Sequence, residues 1–482
     1  MSNTDGRNAL DPDAPLKALE DDRLGYSDYA AYLARVLSSQ LPSDGYVVGI
    51  NGQWGVGKSM MLNFVEQHLE STDNPPIIVQ FHPWMFSGRA DLTSKFLEEL
   101  GESLENEDEQ RFKRIKSKIE SLASSLSGIP ISSTTGIPAE QVAGLLAQLL
   151  SDEDEQPVGK IKENISDRLS GSDRQIIVML DDIDRLSPRE ITQVFQLIKS
   201  VADFPNTTYL LSFDRKIVVK SIEEEMNIDS GENYLEKIVQ LPLVIPNHSE
   251  GSLISIFLSQ LDEFEMDGEL QYEQSRLDDL VRNSIEPLIN TPRDAIRLAN
   301  TIAVTSGPIR REVDFVDFIG LELLRSNCYE VYEAIRQSGE RFVGRISYRQ
   351  RRNGEWDDYS DLLGLVPEED QEAVESVLRL LFVQVNDNLS RSTSQRDWGE
   401  LQAEMRICHP RRYPVYFESA IPDGEISSVR MGMIMSVIDS PDNFTEELRA
   451  LSHEAGFEGG GQKRILLFAG SEIRWTQSGQ TI

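Results

Sequence analysis

Gly52-Gln53-Trp54-Gly55-Val56-Gly57-Lys58-Ser59 fits the pattern GxxxxGK[ST]. It lies between a short apolar run, Tyr46 to Ile50, and a helical pattern that starts near Lys58 and carries Met61, Leu62, Phe64, Val65 and Leu69. A strand before and a helix after is the context a phosphate-binding loop requires. Glycines let backbone N–H groups turn inward around phosphate oxygens, and the helix N-terminus adds its positive dipole. On this reading Gly52, Gln53, Trp54, Gly55, Val56, Gly57, Lys58, Ser59 and Met60 surround a nucleotide. Lys58 reaches the β/γ-phosphates and Ser59 ligates Mg²⁺. Trp54 is expected to pack on a neighbouring segment rather than to stack on a base.

Further along the chain, similar runs recur between helical patterns. Ile77 to Phe81 follows Pro75-Pro76, Ile176 to Leu180 precedes Asp181-Asp182-Ile183-Asp184-Arg185, and Thr207 to Phe213 precedes Asp214-Arg215. Apolar runs alternating with helices indicate a parallel α/β sheet. A fifth run, Ile238 to Pro246, suits an edge because Pro242 cannot donate to a ladder. A carboxylate at the end of a strand beside a phosphate loop can hold Mg²⁺, which gives Asp181 the metal role. Asp182 is then placed to orient or deprotonate the attacking water. Asp184 and Arg185 read as a local ion pair or as a partner-facing pair. Ser212 and Asp214 are comparable candidates for sensing the γ-phosphate or the water, and Arg215 equally suits a surface salt bridge. The order of phosphate loop, extra strand, acidic strand and polar-ended strand predicts a P-loop NTPase of the additional-strand type.

The 482 residues carry 47 Lys+Arg against 81 Asp+Glu, a net charge of −34. The length allows about three domains and a large core. The charge argues against bulk binding to nucleic acid or an anionic membrane. The two cysteines, Cys328 and Cys408, have no CxxC spacing, which fits a reduced cytosolic compartment. The segment MSNTDGRNALDPDAP has no apolar h-region, and no run of about 18 apolar residues predicts a membrane span. The five histidines are scattered, so no metal site of their own is expected. His82 reads as a packed or hydrogen-bonded side chain.

Residues 1–15 read as disordered and residues 16–248 as the nucleotide-binding core. Within that core, about 91–170 forms an acidic helical insertion whose most apolar stretch is Val142 to Leu150. Residues 249–325 read as a helical lid, and 326–482 as a mostly helical interaction region with a late apolar run, Ile465 to Gly470. One group reverses the acidic trend: Arg341, Arg345, Arg349, Arg351 and Arg352, interleaved with Phe342, Tyr348 and Trp356. It pairs with the protein's own acidic surface, or binds nucleic acid. Tyr26, at the start of the first helix, either stacks on adenine or packs at the helix start.

GINGQWGVGKS, FHPWMFSG (Phe81 to Gly88), MLDDIDRL, LLSFDR and YLEKIVQLPLVIP together resemble the KAP family of P-loop NTPases. NTPRDAIRLANTI and VDFVDFIGLELLR extend the resemblance, which covers roughly residues 15–325. It implies a nucleotide-hydrolysing α/β domain using ATP and Mg²⁺, with Lys58 and Ser59 in the loop role, Asp181 in the metal role and Ser212 to Asp214 at the sensing strand. Arg293, in TPRDAIR, resembles a helical-lid arginine that contacts the γ-phosphate, with Arg297 as second choice. Many members carry membrane helices between the phosphate loop and the acidic strand. Here that block is acidic and its apolar stretch too short, so a cytoplasmic member is expected.

The resemblance implies Mg²⁺-dependent ATP hydrolysis driving conformational change in a multi-protein complex, with exclusion of bacteriophage as the associated role. Two alternatives stand beside it. One is a slowly hydrolysing scaffold that recruits an effector. The other is a nucleic-acid-stimulated sensor or motor resting on the Arg341–Arg352 group. No guanine-selecting motif is present, which favours ATP.

Overall fold

The computed structural model describes residues 18–39, 45–88, 92–105, 174–200, 204–246, 251–263, 272–307, 309–344, 356–392, 396–418 and 426–454, with a few isolated positions between them. The expectations for residues 1–15, most of the 91–170 block, Val142 to Leu150 and Ile465 to Gly470 lie outside these residues. So do those for Arg345, Arg349, Arg351 and Arg352. The chain divides into two compact units. One holds residues 12–252 with 291–293; the other holds 253–290 and the residues from 294 onward, with 1–11.

The first unit is built on five strands: β1 (Tyr46–Asn51), β2 (Ile77–Phe81), β3 (Ile176–Leu180), β4 (Thr207–Phe213) and β5 (Leu241–Val244). Their order is β2-β3-β4-β1-β5, and every neighbouring pair is parallel. β4 lies between the strand that feeds the phosphate loop and the strand that ends in Asp181. That arrangement is the additional-strand topology expected from the motif order. β3 and β4 are buried at every residue, as befits central strands covered on both faces. β5 pairs only along β1, with Pro242 opposite Gly49 at the edge.

Alternation along the strands sends side chains to two cores. Val48, Ile50, Ile177, Met179 and Leu210 pack against α1 (Tyr26–Ser39) and α2 (Lys58–Glu70). Val47, Val79, Phe81, Val178, Leu180, Tyr209, Leu211 and Phe213 face α3 (Leu92–Glu105), α4 (Pro188–Ser200) and α5 (Arg215–Met226). Gly49 has no room for a methyl group, since its Cβ would come within 2.9 Å of Val239 Cγ1.

The second unit is helical among its described residues. Its interior holds a buried ion network. Arg276 pairs with Asp314 and Asp317, and Arg406 Nε donates to Asp317 Oδ2 at 2.8 Å. The Tyr416 hydroxyl joins it, accepting from the Asp314 amide at 2.9 Å and donating to the Met405 carbonyl at 2.8 Å. Burial and the neighbouring Asp317 push the Asp314 carboxyl above the ordinary aspartate range. Arg341 is held in a fork by Asp357 and Asp361, with its guanidinium 4.9 Å from the Tyr359 ring centroid. Of the arginine group, this described member is committed to the protein's own acids.

Candidate active site

The site lies at the carboxyl ends of β1, β3 and β4. The register sets Leu180 beside Leu211 and Ile50 beside Ser212, so Asp181, one residue on, is level with Ser212. Asp181 is buried, and its Oδ1 accepts from the amide of Asp182 at 2.8 Å. Ser212 is fully buried on the face that carries α1 and α2, and its Oγ has no hydrogen-bond partner. A buried hydroxyl of that kind costs free energy unless something completes it.

The loop itself is shaped by two glycines. Gly55 and Gly57 have φ of 86° and 102°, a region open to glycine at little cost. A Cβ at Gly55 would lie 2.9 Å from Thr291 Oγ1, and one at Gly57 would lie 3.0 Å from the Tyr26 ring. Tyr26 is 1% exposed, and its hydroxyl donates to the Val56 carbonyl at 2.9 Å. Of its two readings, packing is the one this geometry fits; burial also raises its phenol pKa well above the ordinary value. Met60 packs behind Gly57, and Ser59 is half-buried on the first turn of α2. Trp54 is 62% exposed at the loop tip, with the Arg293 guanidinium 5.0 Å from its ring centroid. The neighbouring segment expected to meet Trp54 is thus Thr291–Arg293. Arg297 belongs to the other unit.

Lys58 Nζ donates to the Gly52 carbonyl at 2.9 Å, the Gln53 carbonyl at 3.4 Å and Asp184 Oδ2 at 3.0 Å. This corrects the expected Asp184–Arg185 pair. Asp184 belongs to Lys58, and Arg185 Nε instead meets Asp182 Oδ1 at 2.8 Å. The cause is the short 3₁₀ turn Ile183–Arg185, entered through a left-handed Asp182 at φ 59°. It turns Asp184 back under the sheet end and leaves Arg185 outside, 5.6 Å from the Trp84 ring. Burial and the adjacent Asp181 hold the Asp182 carboxyl above the ordinary aspartate range.

The two sensing candidates separate. The Asp214 carboxylate caps α5, accepting from the Lys216 amide at 2.9 Å, while Ser212 is unpartnered. Arg215 makes a side-chain ion pair with Glu232, as one of its two readings expected, and its amide donates to Asn51 Oδ1 at 2.9 Å. The FHPWMFSG segment is fixed by Glu190. That carboxylate accepts from the Ser87 hydroxyl, the Gly88 amide at 2.8 Å and the Ser187 amide at 3.1 Å.

Asn51, Asp184 and Glu190 carry no local sequence signal for their long-range contacts: the Arg215 amide, Lys58, Ser87 and the Gly88 amide lie 164, 126, 103 and 102 residues from them. Among the described residues, no three His, Cys, Asp or Glu side chains form a metal cage of their own. Asp181 and Ser59 instead offer the sparse oxygen set that suits Mg²⁺ carried in with phosphates. The unpartnered Ser212 hydroxyl and the glycine-shaped loop fit a nucleotide in the same place. Among the described residues, no helix is long and apolar enough to cross a membrane.

The chain is 27% identical over 354 residues to the phage T7 exclusion protein of Escherichia coli K12, covering 67% of this chain and 47% of that protein. It therefore spans about half the length of that relative. Among solved structures, the ORC2 protein of Aeropyrum pernix in ADPNP and ADP complexes aligns over 80% of this chain and 98% of its own at 15% identity, with a TM-score of 0.33. The ORC1 protein of the same organism in complex with DNA aligns over 80% and 97% at 14% identity, with a TM-score of 0.31. A family model described as the KAP family P-loop domain matches residues 26–307, which include the loop, Asp181, Ser212 and Arg293. The chain belongs to the KAP family of P-loop NTPases.

Proposed function

We propose that this protein binds ATP at the Gly52–Ser59 loop and hydrolyses it. The observation that carries the reading is the unpartnered, fully buried Ser212 Oγ level with Asp181 and beside the strand that feeds the loop. Loop amides and Lys58 bind the β- and γ-phosphates. Ser59 and Asp181 would hold Mg²⁺, which supplies neutralising charge to the phosphates when bound. Asp182 accepts the proton of the attacking water, and its raised pKa makes it a stronger base than an ordinary aspartate. Ser212 donates to the γ-phosphate or the water. Arg293 leaves the Trp54 ring to meet the γ-phosphate, the role that family resemblance implies.

The named E. coli relative supports a role in phage exclusion; in our reading, turnover is coupled to conformational change in a protein complex. The test is ATP turnover by the purified chain with Mg²⁺. Wild-type turnover should fall by roughly 100-fold or more in Lys58→Ala and in Asp182→Asn. Turnover unchanged in Lys58→Ala contradicts the assignment. Binding without turnover by the wild type would move the reading to the nucleotide-gated scaffold.

A further inference from the structure

Asp184 has no part in the chemistry above, yet its Oδ2 atom is shared by two donors from different parts of the site. Lys58 Nζ lies 3.0 Å from it and the Asp214 amide 3.1 Å. Both side chains of the ion pair are buried, at 7% and 5% exposure. With the Gly52 and Gln53 carbonyls, Asp184 gives the ammonium an acceptor for each of its three N–H bonds. On the other side, the Asp214 amide is the first beyond β4, and the Asp214 carboxylate caps α5. One oxygen atom therefore ties the phosphate-loop lysine to the start of α5.

A phosphate that reaches Lys58 draws on the same ammonium. The Gly52 and Gln53 carbonyls are backbone of the loop itself, whereas Asp184 is a side chain on a three-residue turn. The carboxylate is also the acceptor that an incoming phosphate repels, at separations where like charges cost most. We propose that Asp184 is a positioning residue. It holds Lys58 before nucleotide arrives, and it releases the Asp214 amide when phosphate takes the lysine, so that occupancy of the loop is felt at α5. The inference rests on the nucleotide reading above.

Hydrogen exchange of the full chain tests it, with and without Mg²⁺ and a non-hydrolysable ATP analogue. Affinity for the analogue is measured on the same samples. In the wild type, exchange in the 214–216 segment should rise at least about threefold on binding, against the protection that ligands otherwise confer. In Asp184→Ala, which leaves the Asp214 amide without its acceptor, the segment should exchange fast from the start and not respond, while the analogue still binds. Asp184→Ser serves if the first variant does not fold, and the wild-type response stands without either. The inference is overturned if the wild type binds the analogue with that segment unchanged or slowed, or if the variant responds as the wild type does. A wild-type chain that does not bind the analogue overturns the nucleotide reading itself.

Discussion

The Arg293 guanidinium lies 5.0 Å from the centroid of the Trp54 ring, at the tip of the phosphate loop. A cation over an indole face is an attraction of about 0.5–1 kcal/mol at an exposed site, small enough for a phosphate to outcompete. If Arg293 turns to the γ-phosphate, ATP breaks this contact and ADP leaves it. The fluorescence difference between wild type and Trp54→Phe should therefore change with a non-hydrolysable ATP analogue and not with ADP. In Arg293→Ala the two nucleotides should give the same signal. Equal responses to ATP analogue and ADP in the wild type would remove Arg293 from the γ-phosphate role.

Tyr26 anchors the loop through the Val56 carbonyl. Tyr26→Phe keeps the ring against Gly57 and leaves that carbonyl without its donor, a loss of about 1 kcal/mol. Nucleotide affinity should fall about three- to tenfold with little change in turnover at saturation. A fall in saturated turnover with affinity unchanged would place Tyr26 in the chemistry and not in the loop's support.

Asp182 gives a pH signature. Its carboxyl titrates above the ordinary aspartate value, because it is buried beside Asp181. As a base it works only when deprotonated, so turnover should fall as pH drops through that raised pKa. The acid-side decline of kcat/KM, which reports the nucleotide-free enzyme, should therefore lie at a higher pH than an exposed aspartate would give. Asp182→Asn should retain nucleotide binding and lose turnover by about 10²- to 10⁴-fold. A variant that keeps its turnover and its acid-side decline assigns the base elsewhere.

The apolar runs match four strands to within one residue, because parallel strands covered on both faces need continuous apolar sequence, whereas the fifth run, Ile238 to Pro246, yields only the short, half-exposed edge strand Leu241–Val244. The order of motifs gave the sheet topology for the same reason: each strand is followed by the loop its chemistry needs. The partner of Asp184 is not legible in the sequence, because a 3₁₀ turn entered through a left-handed aspartate sets which way its side chain points, and spacing alone does not encode that turn. Ser212 and Asp214 looked alike until the helix after them was in place, since a strand-end aspartate caps the next helix as readily as it serves a site.

Glu322, on the helix Phe315–Asn327, ties stability to pH in the second unit. It is 3% exposed; Arg325 Nη2 approaches its Oε2 at 2.9 Å, but off the hydrogen-bonding direction. Burial pushes its carboxyl up to about 7. The folded chain then holds this proton more tightly than the unfolded chain between about pH 4.5 and 7, so stability contributed by the group falls as pH rises through that window. Glu322→Gln should flatten the thermal-stability profile there and stabilise the protein at pH 8 by about 1–3 kcal/mol. A variant less stable than wild type at pH 8 would show that the ionised carboxylate is held by more than Arg325.

The most direct test of the central claim is equilibrium binding of a non-hydrolysable ATP analogue, with Mg²⁺, to the purified chain and to Lys58→Ala. The account predicts saturable binding of one nucleotide per chain, weakened about 10- to 100-fold by the substitution. Absence of saturable binding by the wild type, or equal affinity in Lys58→Ala, would contradict it.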